Sequence, residues 1–229
     1  MEVVICGSVR TPIGQFLGAL SDVPTVELGA QCVRETLRRS GASVDQVDEL
    51  IIGHVLAAGQ GQNPARQVAI SAGLPESVPA GQVSILCGSG MKAIIDGTRA
   101  VKSGDAKVVI CGGMESMSRA AHVQYLRNLK KMGPLKLTEQ NYQDVKLQDS
   151  MMVDGLMCAL TNQHMGNTAE NVAVKFDISR KDQDDFAFSS VQKVTSTVIL
   201  PHSTVFLAGG GGKRKRFIRQ GNIVIKTKG

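Results

Sequence analysis

The chain of 229 residues is 42% hydrophobic and 20% charged, an ordinary balance for a globular protein with a substantial core. Its net charge of +6 comes from the end of the chain, because eight cations and no acid follow Asp185, which leaves 18 cations against 20 acids elsewhere. Nucleic-acid binding would therefore depend on this basic end alone, and no apolar run approaches the ~18 residues of a membrane-spanning helix.

The cysteines and the chain ends indicate a cellular compartment. Five cysteines, an odd number without any C-x-x-C pair, disfavour a disulfide framework or a zinc site and favour a reducing environment. The beginning, M-E-V-V-I-C-G, has no cationic or amphipathic leader, and the final K-T-K-G is not a peroxisomal signal. We therefore expect a cytoplasmic protein.

In chain order, the first half alternates short apolar runs with helical patterns. Strands are predicted at Val3–Cys6, Glu49–Leu56, Val83–Leu86 and Lys107–Cys111. Helices are predicted from Pro24 to Gly41, from Asn63-Pro64 to Gly73, and from Cys87 to about Ser103. Such alternation predicts a parallel sheet with right-handed crossovers. His54, inside the second strand, is interpreted as a packed or surface residue.

The stretch from Gln82 to Val101 contains the main chemical signal. An apolar run ends at Cys87, then Gly88, Ser89 and Gly90 begin a helical pattern. A helix start offers unpaired N–H groups and a positive dipole end, which favour a thiolate and could stabilise an oxyanion. The pattern therefore indicates a nucleophilic cysteine, although a small buried cysteine in a tight turn has the same pattern.

The helix that follows Cys87 has one narrow polar stripe, formed by Lys92, Asp96 and Arg99. Apolar residues occupy most of the remaining circumference, which predicts burial on more than one side and a partner helix.

Six motifs in collinear order, from Val3 to about Phe186, carry a family resemblance. They are V-R-T-P-I-G, G-H-V-L-A-A-G, Q-N-P-A-R-Q, V-S-I-L-C-G-S-G-M-K-A-I, G-G-M-E-S-M-S-R-A and H-M-G-N-T-A-E-N. Together they resemble the thiolase family, and within it most closely the cytosolic acetyl-CoA C-acetyltransferases.

The resemblance implies an α/β, thiolase-like fold. It would comprise the N-terminal half, a mixed and largely parallel sheet with helices on both faces, and an irregular loop domain, with the C-terminal half absent. The implied division is a core half over 1–118, a loop domain for subunit contacts and coenzyme A over 119–188, and a divergent, irregular or mis-framed basic tail over 189–229.

The resemblance also implies site residues and partners. Cys87 would be the nucleophile, and Leu156, His164 and Met165 would contact coenzyme A. The coenzyme A thioester would be a substrate, with no other cofactor and no metal. Acetyl-CoA and coenzyme A would be the ligands of a homo-oligomer, expected to be a tetramer in the mevalonate pathway, with no nucleic-acid or membrane partner.

Three family motifs are missing from the 229 residues: the G-H-P histidine, the C-x-G-G-G cysteine and the N-E-A-F asparagine. The chain alone is therefore expected to turn over little substrate. Open alternatives are a non-catalytic fragment that binds coenzyme A or pairs with another subunit, a 3-ketoacyl-CoA thiolase of broader chain length, and a nucleic-acid module with a basic tail.

The family pattern changes in the second half of the chain. Residues 121–149 are predicted to be irregular and exposed, followed by helices over Thr168–Phe176 and after Ser179. Past Phe188 the sequence no longer matches the family pattern, which suggests a shifted reading frame or mis-joined exon between about Ser189 and Ile218. From Arg219, R-Q-G-N-I-V-I-K-T-K again resembles the family, and the basic run at 213–216 is interpreted as a solvated loop.

Overall fold

The computed structural model describes residues 3–124, 146–198 and 218–227. The basic run at 213–216 and most of the predicted irregular segment at 121–149 lie outside these ranges.

Seven strands and five α-helices make up the regular structure of the described residues. The strands are β1 (Val3–Ile13), β2 (Glu49–Gly53), β3 (Ala80–Val83), β4 (Val108–Gly113), β5 (His122–Val123), β6 (Gln148–Asp149) and β7 (Ile218–Thr227). The helices are α1 (Thr25–Ser40), α2 (Pro64–Ser71), α3 (Ser89–Ser103), α4 (Met165–Lys175) and α5 (Arg180–Val198). Short 3₁₀ turns at Val44–Gln46 and Met117–Arg119 and a π-helical segment at Met151–Leu156 complete them.

The main sheet has five strands in the order β1-β7-β4-β2-β3. Strand β2 is parallel to both β3 and β4, as the alternation of strands and helices predicts, whereas β7 is antiparallel to β4. The sheet is therefore mixed and largely parallel, which confirms the predicted fold class. A small second sheet joins β5 and β6.

Both faces of the main sheet are covered. Successive residues of a strand point to opposite faces, so Leu50 and Ile52 of β2 pack in one apolar cluster with α1 and α2, while Ile51 packs in another with α3. Val33 of α1 and Ala93 of α3 are fully buried in these two clusters. Helices on both faces of the sheet are thus confirmed.

The predicted helix ends are confirmed by their caps. Gly41 ends α1 with a left-handed φ of 68°, and its N–H donates to the Leu37 carbonyl at 3.0 Å. Asn63 begins α2, where its Oδ1 accepts the Arg66 N–H at 3.1 Å. Ser179 begins α5, where its Oγ accepts the Asp182 N–H at 3.1 Å.

Three strand predictions differ from the structure by three or more residues at one or both ends, whereas β4, predicted at Lys107–Cys111, agrees to within two. β1 continues to Ile13 through Pro12, because an edge strand tolerates a residue without an N–H. β2 ends at Gly53 rather than Leu56: the His54 N–H still donates to the Val83 carbonyl of β3, but the N–H groups of Val55 and Leu56 donate to the Glu115 carboxylate. The strand predicted at Val83–Leu86 was wrong, because β3 ends at Val83 and the following residues form a turn.

The chain beyond residue 188, expected to be irregular, has regular structure in two stretches. Residues 189–198 continue α5, and residues 218–227 form β7, which pairs with β4. The helix predicted over Thr168–Phe176 is confirmed, although it begins three residues earlier, at Met165.

The chain forms two compact units, Met1–Leu156 with Gln220–Gly229, and Met157–Arg219. The first contains the main sheet and its helices, and the second contains α4 and α5. No helix in the described ranges has both the length and the apolar character to cross a membrane. The predicted division into 1–118, 119–188 and 189–229 stays a prediction, because it concerns what each part binds.

Candidate active site

Cys87 lies in the turn that joins β3 to α3. Within the turn, the Gly88 N–H donates to the Ile85 carbonyl at 3.2 Å and the Ser89 N–H donates to the Leu86 carbonyl at 3.0 Å. Helix α3 begins two residues after Cys87, at Ser89. The thiol is therefore next to the first turn of a helix, where N–H groups lack helical partners.

Accessibility separates Cys87 from the other cysteines, all five of which the structure describes. Cys87 alone is exposed, Cys6 and Cys158 are partly exposed, and Cys32 and Cys111 are buried. Burial raises the pKa of the Cys111 thiol to about 12 and also raises the pKa of Cys32. A buried thiol with a raised pKa is a poor nucleophile, so these two act as core residues.

Three glycines bring the start of α3 against the ends of two strands. A β-carbon on Gly53, the last residue of β2, would lie 2.3 Å from the carbonyl carbon of Ser89. A β-carbon on Gly113, the last residue of β4, would lie 3.3 Å from the Gly90 α-carbon. These contacts place the Cys87 turn at the carboxyl edge of parallel strands, where α/β sheets commonly bind ligands.

The Ser89 side chain forms two hydrogen bonds with the backbone of the turn. Its Oγ accepts the Ile85 N–H at 2.9 Å and donates to the Leu86 carbonyl at 2.6 Å. The side chain is buried, and Leu86 has a left-handed φ of 54°, which is uncommon for a residue with a β-carbon. No role for Ser89 was predicted from the sequence.

A partly buried carboxylate, two residues after the end of β4, fixes the loop that leaves β2. Glu115 accepts the N–H groups of Val55 at 2.9 Å and Leu56 at 3.1 Å, and its Oε1 lies 3.3 Å from His54 Nε2. His54 is only 1% exposed, so its interpretation as a packed residue is confirmed. Glu115 was missed; its one local signal is an acid two residues after the glycines that end a buried strand.

The other predicted site residues lie farther along the chain. Leu156 is the last residue of the π-helical segment in the first compact unit and is partly buried. His164 and Met165 belong to the second unit and are adjacent at the start of α4. His164 is exposed and is the N-cap of α4, because its Nδ1 accepts the Gly166 N–H at 3.0 Å.

The capping bond fixes the tautomer of a neutral His164. A ring nitrogen that accepts an N–H carries no proton of its own, so the proton lies on Nε2. The exposed side of the ring therefore presents a hydrogen-bond donor. Within the described ranges, no group of three or more His, Cys, Asp or Glu side chains is arranged to hold a metal ion.

The fold is that of a thiolase N-terminal domain. Residues 3–198 match the family described as "Thiolase, N-terminal domain". The chain also resembles the crystal structure of Acat5 thiolase from Ascaris suum in complex with coenzyme A, with a TM-score of 0.78 and 27% identity over 99% of this chain and 66% of that chain. The protein belongs to the thiolase family.

Sequence relatives refine this placement. The chain is 46% identical over 197 residues to an acetyl-CoA acetyltransferase of Pseudomonas aeruginosa, which covers 86% of the chain and 48% of the relative. It is 47% identical over 188 residues to the cytosolic acetyl-CoA acetyltransferase of Rattus norvegicus, covering 82% and 45%. The chain thus spans about half the length of the curated relatives that it matches.

Proposed function

We propose that the chain is the nucleophile-bearing part of an acetyl-CoA C-acetyltransferase. Two acetyl-CoA molecules would condense to acetoacetyl-CoA and coenzyme A through an acetyl-Cys87 intermediate, and thiolysis is the reverse reaction. The observation that carries the proposal is the exposed Cys87 thiol at the start of α3, in a chain whose relatives are named acetyl-CoA acetyltransferases.

The first step is acyl transfer to sulfur. The Cys87 thiolate attacks the thioester carbonyl carbon, a new sulfur–carbon bond forms, and the bond to the coenzyme A sulfur breaks. Negative charge develops on the carbonyl oxygen in the tetrahedral intermediate, where a backbone N–H at the start of α3 can donate to it. The second step needs a base for the α-proton of another acetyl-CoA, and the family motifs that carry that base do not occur in this sequence.

Leu156, His164 and Met165 are proposed to contact coenzyme A. Supporting this role, the capping bond to Gly166 leaves the exposed Nε2 of neutral His164 as a donor, suited to a thioester or pantetheine carbonyl. The partly buried Met165 begins the same helix. By the same resemblance, we expect a cytoplasmic homo-oligomer, a tetramer in the mevalonate pathway, with the thioester as substrate and no further cofactor.

The test is acetyl transfer from acetyl-CoA, followed by mass spectrometry of the cysteine peptides. We expect one acetyl group on Cys87 with release of coenzyme A, and little multiple turnover. Cys87→Ala should abolish this label, whereas Cys158→Ala, a matched change at a partly exposed cysteine, should retain it. Equal labelling in the wild type and Cys87→Ala would contradict the proposal.

A second candidate is a fragment that binds coenzyme A or pairs with a longer subunit without catalysis. It is favoured by the missing G-H-P, C-x-G-G-G and N-E-A-F motifs. Coenzyme A binding without any acetyl-Cys87, or co-purification with a full-length thiolase, would support this candidate over the first.

A further inference from the structure

We propose that Ser89 is a positioning residue that holds the strained turn carrying Cys87, and that acylation of Cys87 depends on this hold. The inference rests on the proposed function only in taking Cys87 as the acylated group. Ser89 does not contact a substrate in this scheme and acts through the backbone of the turn.

The turn that carries Cys87 is strained at Leu86. Leu86, directly before Cys87, has a φ of 54°, a left-handed conformation that is unfavourable for a residue with a β-carbon. Its side chain is exposed, so core packing does not stabilise this conformation. The backbone therefore needs hydrogen bonds that hold Leu86 in place.

Ser89 supplies these hydrogen bonds on both sides of Leu86. Its hydroxyl accepts the Ile85 N–H at 2.9 Å and donates to the Leu86 carbonyl at 2.6 Å, so one oxygen bridges the two residues before Cys87. Ser89 is 4% exposed, which keeps water from replacing either bond easily. Its own backbone lies against Gly53, so the anchor itself is fixed to β2.

The consequence for chemistry follows from what acylation requires. The oxyanion of a tetrahedral intermediate is stabilised only by donors already aligned with the attacking sulfur. A rigid turn keeps the Cys87 sulfur and the N–H groups at the start of α3 in fixed relative positions, so the donors are already aligned when the sulfur attacks. Alkylation by displacement develops no oxyanion, so it depends on exposure of the thiol and much less on the alignment.

This difference defines the experiment, which uses the full chain and a simple acyl donor. With p-nitrophenyl acetate, the Cys87 sulfur bonds to the acetyl carbon, p-nitrophenolate leaves with the bonding electrons, and the thiol proton passes to solvent. Peptide-resolved mass spectrometry gives the acetylation rate of Cys87, with Cys158 as internal reference. The same ratio is measured for alkylation by iodoacetamide.

We expect Ser89→Ala to lower the acetylation ratio about tenfold and to change the alkylation ratio less than about twofold. Ser89→Thr, which keeps a hydroxyl, should retain most of the wild-type acetylation ratio. Ser103→Ala, which removes a hydroxyl bonded to the backbone at the other end of α3, is the matched control and should change neither ratio. An acetylation ratio within about twofold of wild type in Ser89→Ala would overturn the proposal.

A second measurement tests the route through Leu86. Glycine adopts positive φ without strain, so in a Leu86→Gly background the Ser89→Ala change should cost less than about threefold. An equal loss in both backgrounds would show that Ser89 does not act by holding Leu86. Hydrogen exchange of the Ile85 amide should accelerate in Ser89→Ala but not in Ser103→Ala. This exchange rate measures the stability of the turn even if Cys87 proves not to accept acetyl-CoA.

Discussion

The backbones of Gly53 and Ser89 lie in direct contact, so close that a β-carbon on Gly53 would come within 2.3 Å of the Ser89 carbonyl carbon. This contact joins the last residue of β2 to the first residue of α3, two residues after Cys87. The position of Cys87 is thus set by a contact between main-chain atoms, which have no rotamer freedom to absorb a change.

Gly53→Ala is therefore expected to displace the start of α3. Because the collision is with main-chain atoms, the free energy of unfolding should fall by about 3 kcal/mol, at the upper end for an overpacked site. Gly81→Ala is the matched control, since its β-carbon meets nothing within 4 Å, and it should stay within about 0.5 kcal/mol of wild type. Urea unfolding measures the free energy of unfolding of both variants. Equal losses would show that the backbone around Gly53 moves to accommodate the β-carbon without destabilising the fold.

Local patterns were sufficient to predict much of the fold. The helix periodicity of α1, the N-cap of α2 at Asn63 and the glycine that ends α1 are each signals within a few residues, and each is confirmed. The proposal that Cys87 is a nucleophile comes from the same kind of local signal, a cysteine followed by small residues and a helical pattern, and it stays a prediction. The parallel pairing of β2 with β4 followed from the alternation of strands and helices.

The parts that were missed depend on contacts between distant residues. The bond between Val55 and Glu115 joins residues 60 positions apart, so the local sequence around either residue does not indicate its partner. The strand predicted at Val83–Leu86 was apolar enough for a strand, but Ser89 draws Ile85 and Leu86 into a turn instead. A hydroxyl three residues later in the chain thus outweighs the β-propensity of the apolar run.

Glu115→Gln should test the importance of the carboxylate in the loop that leaves β2. The carboxylate accepts two backbone N–H groups and faces His54, whereas an amide has only one acceptor oxygen and would direct its NH₂ at another donor. We expect a loss of about 2 kcal/mol in the free energy of unfolding, because a buried donor is left unsatisfied.

Glu76→Gln is the control for this change, since Glu76 is exposed and the change of charge is the same. Chemical denaturation at neutral pH compares the two variants. If Glu76→Gln and Glu115→Gln destabilise the chain equally, the effect comes from net charge and not from the hydrogen bonds.

The two nitrogens of His164 are expected to have separable roles. Asparagine is a good N-cap but cannot place a donor where Nε2 lies, so His164→Asn should keep α4 intact, whereas His164→Ala should weaken the helix by about 1 kcal/mol. If Nε2 donates to coenzyme A, both variants should bind it about tenfold more weakly in calorimetric titration. Retained affinity in His164→Asn would exclude the donor role proposed for Nε2.

The pH dependence of stability should carry opposite contributions from Glu35 and Glu49. Hydrogen bonds from Arg38 and then Arg39 lower the pKa of Glu35 from 4.5 to about 2, so its stabilising contribution is complete above pH 4.5 and is lost as the pH falls toward 2. Burial, with repulsion by Asp96, raises the pKa of Glu49, so its carboxylate opposes folding at neutral pH and the penalty fades on acidification.

Glu35→Gln should therefore lower the free energy of unfolding near pH 7, by no more than about 1 kcal/mol because Glu35 is a third exposed, and the loss should shrink at about pH 3. Glu49→Gln should raise it near pH 7, and this gain should also shrink on acidification. Urea titrations of both variants at the two pH values distinguish the effects by sign. A loss in both variants would show that the burial of Glu49 is compensated by bonds that the neutral amide cannot replace.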